Sequence, residues 1–161
     1  MTMRALLLGV GNTILTDDGV GIYVVRAVAQ RLDGEPIEGL ELDVEEASTG
    51  GLGLLDIMAG YGVVIIVDAV ADERVRPGEL CRVDLAQGAG HDVFCLHGVG
   101  LKTALELGRS IGQALPERVE VYGVGTQDVT TFGEECTPAV RAAIPEAAAR
   151  PYRRLQALAR E

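Results

Sequence analysis

Apolar runs and apolar stripes alternate along the chain, and the change of period marks its elements. Met3 to Leu8 is almost wholly apolar and stops at Gly9, as a strand covered on both faces does. From Gly19 to Leu32 the apolar positions fall at Ile22, Val25, Ala29 and Leu32, with Arg26, Gln30 and Arg31 between them. That spacing predicts a surface helix packed on a sheet. Leu40 to Val44 alternates apolar with acidic residues and predicts a second strand, and Ser48-Thr49-Gly50-Gly51 makes a turn before a Leu-rich helix over Leu52 to Met58. Gly62 to Asp68 is the strongest strand pattern, β-branched through its middle and ended by a carboxylate. Glu79 to Leu85 predicts another strand. Phe94 to Leu96 leads through His97-Gly98 into a helix whose stripe is Leu101, Leu105 and Ile111, and Arg118 to Val124 predicts a further strand. Thr137-Pro138 starts the last helix with a hydroxyl cap and a proline at the first helical position, and a bend is expected near Pro145 or Pro151.

Strands alternating with helices predict an α/β fold: a three-layer, doubly wound, mostly parallel twisted sheet of about five strands, with helices on both faces and right-handed crossovers. With 161 residues, 48% of them hydrophobic, and no repeat or low-complexity linker, the chain reads as one domain over residues 1–161. A formal net charge of -10 excludes non-specific binding to nucleic acid or to an anionic membrane. Arg150, Arg153, Arg154 and Arg160 read as a solvated helix face. No apolar run approaches the roughly 20 residues of a membrane helix, and no secretory signal pattern opens the chain, so a cytoplasmic protein is expected. Cys81, Cys95 and Cys136 lack C-x-x-C spacing and read as small buried residues rather than as a disulfide framework or a structural zinc site.

Candidate chemistry begins in the run Gly9-Val10-Gly11-Asn12-Thr13-Ile14-Leu15-Thr16-Asp17-Asp18-Gly19-Val20-Gly21. A dinucleotide fingerprint would need glycine at Ile14, and Asp17 and Asp18 would repel a phosphate. Adjacent carboxylates at a strand-to-helix turn suit a cation or a substrate-orienting site, with helix capping as the plain structural alternative. Asp18, Asp68 and His97 each follow a predicted strand, where ligands of such sheets gather. Two carboxylates and an imidazole can form the first shell of a divalent transition metal and leave positions open, although Asp at a strand end also serves merely to cap the next helix. Ser48 and Ser110, the only serines, do not lie in G-x-S-x-G. Cys95 and His97, two apart, would share one face of a strand as nucleophile and base, or Cys95 is simply a core residue. His91, among Gly88, Ala89, Gly90 and Asp92, reads as an exposed loop residue. Asp17 reads as a helix cap, with a place in a metal's outer shell as the alternative.

In order and spacing these pieces resemble the nickel-iron hydrogenase maturation endopeptidases over nearly the whole chain. The resemblance rests on G-V-G-N-T-I-L-T-D-D-G-V-G, Ser48-Thr49-Gly50-Gly51, Ile65-Ile66-Val67-Asp68-Ala69, Leu96-His97-Gly98-Val99-Gly100-Leu101 and the Thr137-Pro138 helix. It implies that Asp18, Asp68 and His97 contact a divalent metal. The family holds Asp or Glu at the position of Asp18. It often holds Asp where Glu46 stands, a position associated with recognition of the precursor, so the resemblance makes Glu46 a substrate-binding candidate with a side chain one methylene longer. Thr49 and Gly50, with Gly51, read as backbone set against the substrate, with an ordinary turn as the alternative. The reaction implied is removal of a short C-terminal extension from a hydrogenase large-subunit precursor after nickel insertion. The nickel is supplied by the substrate, and no organic cofactor is implied. A metal can polarise the scissile carbonyl and acidify a water while a neighbouring carboxylate accepts the proton, so no protein nucleophile is required. Two other readings stay open: a non-catalytic chaperone that binds the same nickel-loaded precursor, and a nucleotide-binding α/β domain.

Overall fold

The two apolar runs lie side by side in the middle of the sheet as β1 (Met3–Val10) and β3 (Val63–Val70), and every residue of β3 is buried. A computed structural model describes residues 2–83, 85 and 100–161. β2 (Leu40–Ala47) pairs with the outer edge of β1, and β5 (Arg118–Gly125) with the outer edge of β3, all four parallel. The short β4 (Leu80–Val83) adds antiparallel to β5, so the order is β2-β1-β3-β5-β4. An alternating strand such as β2, with acidic residues turned outward, belongs at an edge, and that is where it sits.

Helices cover both faces. α1 (Val20–Gly34) and α4 (Pro138–Leu158) pack on one, burying Val24, Val28, Val140 and Leu155 against Leu7, Ile65 and Tyr122. α2 (Leu55–Met58) and α3 (Leu101–Ser110) pack on the other, with Met58, Leu101 and Leu105 against Leu6, Val64 and Val121. This is the three-layer, mostly parallel arrangement the alternation of patterns predicts. From β1 the chain crosses to β2 on one side, and from β3 it moves to the other, so the order reverses between β1 and β3. Ligands of open α/β sheets bind outside the strand C-termini at such a reversal.

Three boundaries differ from expectation. β3 continues two residues beyond Asp68, which therefore lies inside the strand. A 3-10 turn, Gly51–Leu54, precedes α2 and takes up the first three residues of the helix expected over Leu52 to Met58. α3 ends at Ser110, and Ile111 lies just past it and is exposed, whereas Ala104 and Gly108 complete the buried stripe with Leu101 and Leu105. α4 spans both Pro145 and Pro151, the positions at which a bend is expected. The strand expected at residues 94–96 lies outside the described residues.

The face of β5 beneath α4 is tied to that helix by Arg154, whose guanidinium donates to both carboxylate oxygens of Glu120 at 2.6–3.1 Å. That pairing lowers the carboxyl of Glu120 below its ordinary value, and Arg82 adds a weaker contact at 3.6 Å. Replacing Arg154 with Met should cost about 1–2 kcal/mol at neutral pH, because a largely buried carboxylate loses its main partner. A depressed pKa contributes stability above the unfolded value of about 4.5 and loses it as pH falls through the folded value. Urea unfolding at pH 7 and pH 3 checks this: the gap between the two proteins should shrink at pH 3.

Candidate active site at the strand C-termini

Between β1 and α1 the chain makes a tight turn, and two glycines let it lie directly on other backbones. A Cβ at Gly11 would stand 2.2 Å from the carbonyl oxygen of Asp18. One at Gly21 would stand 2.3 Å from the carbonyl oxygen of Val67 and 2.8 Å from that of Val10. Glycine at 21 therefore lets the first turn of α1 rest on β1 and β3 together. The 3-10 turn Thr16–Gly19 packs against β3 as a result, which brings the segment bearing Asp18 onto the strand bearing Asp68.

Asp18 is 5% exposed, and its Oδ2 accepts the backbone N–H of Asn12 at 2.9 Å. A backbone amide of the strand-to-helix connection is thus taken by a carboxylate, which opposes the nucleotide-binding reading. Asp68 is 1% exposed, with its Oδ1 accepting the N–H of Ala69 at 2.8 Å. Alternation along β3 turns Asp68 to the face of Ile66 and Val70, the side of α3. Its cross-strand partner on β5 is Gly123, which has no side chain to fill the space beside it. Two buried carboxylates of hard oxygen donors suit a divalent cation, and an imidazole added to them suits nickel. Among the described residues no group of three or more His, Cys, Asp and Glu could hold a metal. His97, the third expected ligand, lies outside the described residues, as do Cys95 and His91; α3 begins at Leu101 on the face of Asp68.

Asp17 has a role that its sequence neighbours do not reveal. It is 0% exposed and does not cap α1, whose N-cap makes no side-chain hydrogen bond. Its carboxylate instead accepts the backbone N–H groups of Gln127 (2.9 Å) and Asp128 (3.0 Å), and the N–H (2.7 Å) and hydroxyl (2.8 Å) of Thr137. The expected hydroxyl cap on α4 is corrected by the same contact, since the Thr137 hydroxyl is turned to Asp17 rather than to the helix amides. Next to it Thr16 holds a left-handed backbone, φ 53°, an unfavourable conformation for a β-branched residue. Its N–H donates to Gly133 O at 2.9 Å and its hydroxyl to Thr131 O. The loop from Gln127 to Thr137 thereby clamps the turn whose next residue is Asp18.

The remaining candidates stand around this edge. Glu46, late in β2, receives a bidentate pair from Arg26 of α1, both bonds at 2.8 Å, and this partner lowers its carboxyl below the ordinary range. Thr49 is exposed and Gly50 partly exposed in the turn after β2, whose last residue Ala47 accepts the N–H of Gly11 at 3.0 Å. Cys136 is buried, and burial together with the charge of Asp17 pushes its thiol up to about 12, so it stays protonated and is no nucleophile. A groove of about 650 Å³ lined by Arg82, Lys102, Leu105, Arg109 and Glu117 contains none of the described candidate residues.

Comparison with known proteins matches this arrangement to one family. Residues 22–152 match the sequence model of the hydrogenase maturation proteases, a span that contains Asp68 and position 97 and begins just after Asp18. The chain is 32% identical over 124 residues to the hydrogenase 2 maturation protease of Escherichia coli K12, covering 76% of this chain and 73% of that one. It is 27% identical over 147 residues to the hydrogenase expression/formation protein HupD of Rhizobium leguminosarum bv. viciae, covering 89% and 70%. The hydrogenase maturating endopeptidase HybD from Escherichia coli superposes with a TM-score of 0.73 at 26% identity, over 96% of this chain and 93% of that chain. A second endopeptidase structure from Escherichia coli gives 0.76 at 28% identity over the same shares.

Proposed function

Because the chain belongs to the hydrogenase maturation protease family and is a peptidase that processes hydrogenase large subunits, we propose that it recognises its substrate through the nickel that the precursor carries. Asp18, Asp68 and His97 contact that nickel in this reading, and no cofactor of the protease's own is required. The observation that supports it is the pair of buried carboxylates at the reversal point of the sheet, one held on β3 and one on the turn that β3 supports. Carboxylate oxygens are hard donors that suit a divalent cation, and the precursor's metal is one.

The residues divide the work. Asp68, inside a central strand, is the rigid anchor. Asp18 is held by the Asn12 amide on one oxygen and by the clamped turn behind it. A nickel ion beside the scissile bond would polarise the carbonyl and acidify a water. A carboxylate in reach of that water accepts its proton, and the buried setting strengthens each of these charge interactions. Glu46, Thr49 and Gly50 line the approach for the precursor chain, with Glu46 oriented by Arg26. Cys81 and Cys136 are free thiols, which suits work in the reducing cytoplasm, and no described helix is long and apolar enough to cross a membrane.

Incubation of the purified protein with nickel-loaded precursor separates this reading from that of a chaperone. Intact mass spectrometry should show the precursor lighter by the mass of its C-terminal extension. Stable binding with no change in mass would contradict it.

A further inference from the structure

Five large apolar side chains are exposed among the described residues, and their distribution is uneven. Leu107 and Ile111 lie at the end of α3, beside the segment where Ala114 O accepts the N–H of Gly60 just ahead of β3. That is the N-terminal edge of the sheet, remote from Asp18 and Asp68. The other three, Ile14 (49% exposed), Leu52 (61%) and Phe132 (80%), stand on the segments following β1, β2 and β5 at the opposite edge. Single exposed apolar residues are ordinary, but Phe132 is one of only two phenylalanines in the chain.

Ile14 and Phe132 are also held side by side. Leu15 and Gly133 form a parallel β-bridge, with Gly133 N–H donating to Ile14 O and Thr16 N–H to Gly133 O, both at 2.9 Å. In that register Ile14 and Phe132 are neighbouring positions. The strained Thr16 and the fully buried Asp17 fix the same two segments to each other. The arrangement that exposes the two apolar side chains is thus the one that seats Asp18, two residues beyond Thr16. An exposed pair beside the reaction centre of an enzyme whose substrate is a protein is where that protein must come close.

We infer that Ile14 and Phe132 form an apolar docking edge for the hydrogenase large-subunit precursor, taking up apolar side chains beside its C-terminal extension while Asp18 and Asp68 meet its metal. This rests on the processing reading and adds to it the surface that sets affinity for the protein rather than for the metal.

Steady-state processing of nickel-loaded precursor tests it with Ile14→Ser/Phe132→Ser and, as a control at the other end of the molecule, Leu107→Ser/Ile111→Ser. The docking pair should raise KM roughly tenfold with kcat within about twofold of the unaltered protein, as loss of interface anchors does. The control should leave both constants in place. An unchanged KM in the docking variant, or an equal rise in the control, overturns the inference. Phe132→Ala alone carries the same test if the double variant loses its thermal transition. Absence of cleavage by the unaltered protein removes the processing reading itself, and the docking edge with it.

Discussion

Asp68→Asn should lower kcat/KM for precursor processing by roughly a thousandfold, about 4 kcal/mol of transition-state stabilisation, while the fold persists. Asparagine has the same shape and keeps an oxygen for the Ala69 amide, so the strand loses neither volume nor its local hydrogen bond. It lacks the negative charge that a nickel ligand needs, and nothing at Gly123 across the ladder can substitute for it. The loss should appear in processing and in affinity for the nickel-loaded precursor, with the thermal midpoint within a few degrees of the unaltered protein. Activity within tenfold of normal would remove Asp68 from the metal contact.

Asp17→Ala should act in the other direction, chiefly on stability. The carboxylate takes three backbone amides and one hydroxyl in a site with no exposure to solvent. Removing it leaves buried donors without acceptors, each worth about 1–3 kcal/mol, and a total cost of about 3–5 kcal/mol is expected. Against a typical stability of about 5–15 kcal/mol that is a large share, and for a chain of this size it should lower the melting temperature by about 10 °C. Denaturant unfolding measures it directly. A change below about 1 kcal/mol would show that the loop from Gln127 to Thr137 is not held through Asp17. Because the same loop supports the turn bearing Asp18, processing should weaken in the variant even at temperatures where it remains folded.

The contrast between these two aspartates shows what the sequence makes legible. β1 and β3 are readable because a strand covered on both faces needs only local apolar continuity, β5 because β-branched residues recur through it, and α1 and α3 because an amphipathic period is likewise local. Asp68 is readable for the same reason: it is a carboxylate in an otherwise apolar strand, and few roles explain such a break. Asp18 is legible as one of a pair, but the division of labour within the pair is not. The partners of Asp17 are more than a hundred residues away, at Gln127, Asp128 and Thr137, and no local pattern connects them. Two signals were present nonetheless: an aspartate beyond the one a metal would need, and a Thr-Pro helix start whose hydroxyl was free to serve another acceptor. The pairing of Glu46 with Arg26 was hidden in the same way, because it depends on which face of β2 meets α1. The end of α3 is illegible for a different reason: Ile111 fits the helical period, but the helix stops at Ser110 and leaves that side chain in solvent.

Nickel dependence of cleavage tests the central claim most directly. The same precursor, prepared once with nickel inserted and once without, is incubated with the protein, and the release of its C-terminal extension is followed by intact mass. If Asp18, Asp68 and His97 meet the substrate through its metal, only the nickel-loaded form should lose the extension. Cleavage of both forms at equal rates would contradict it.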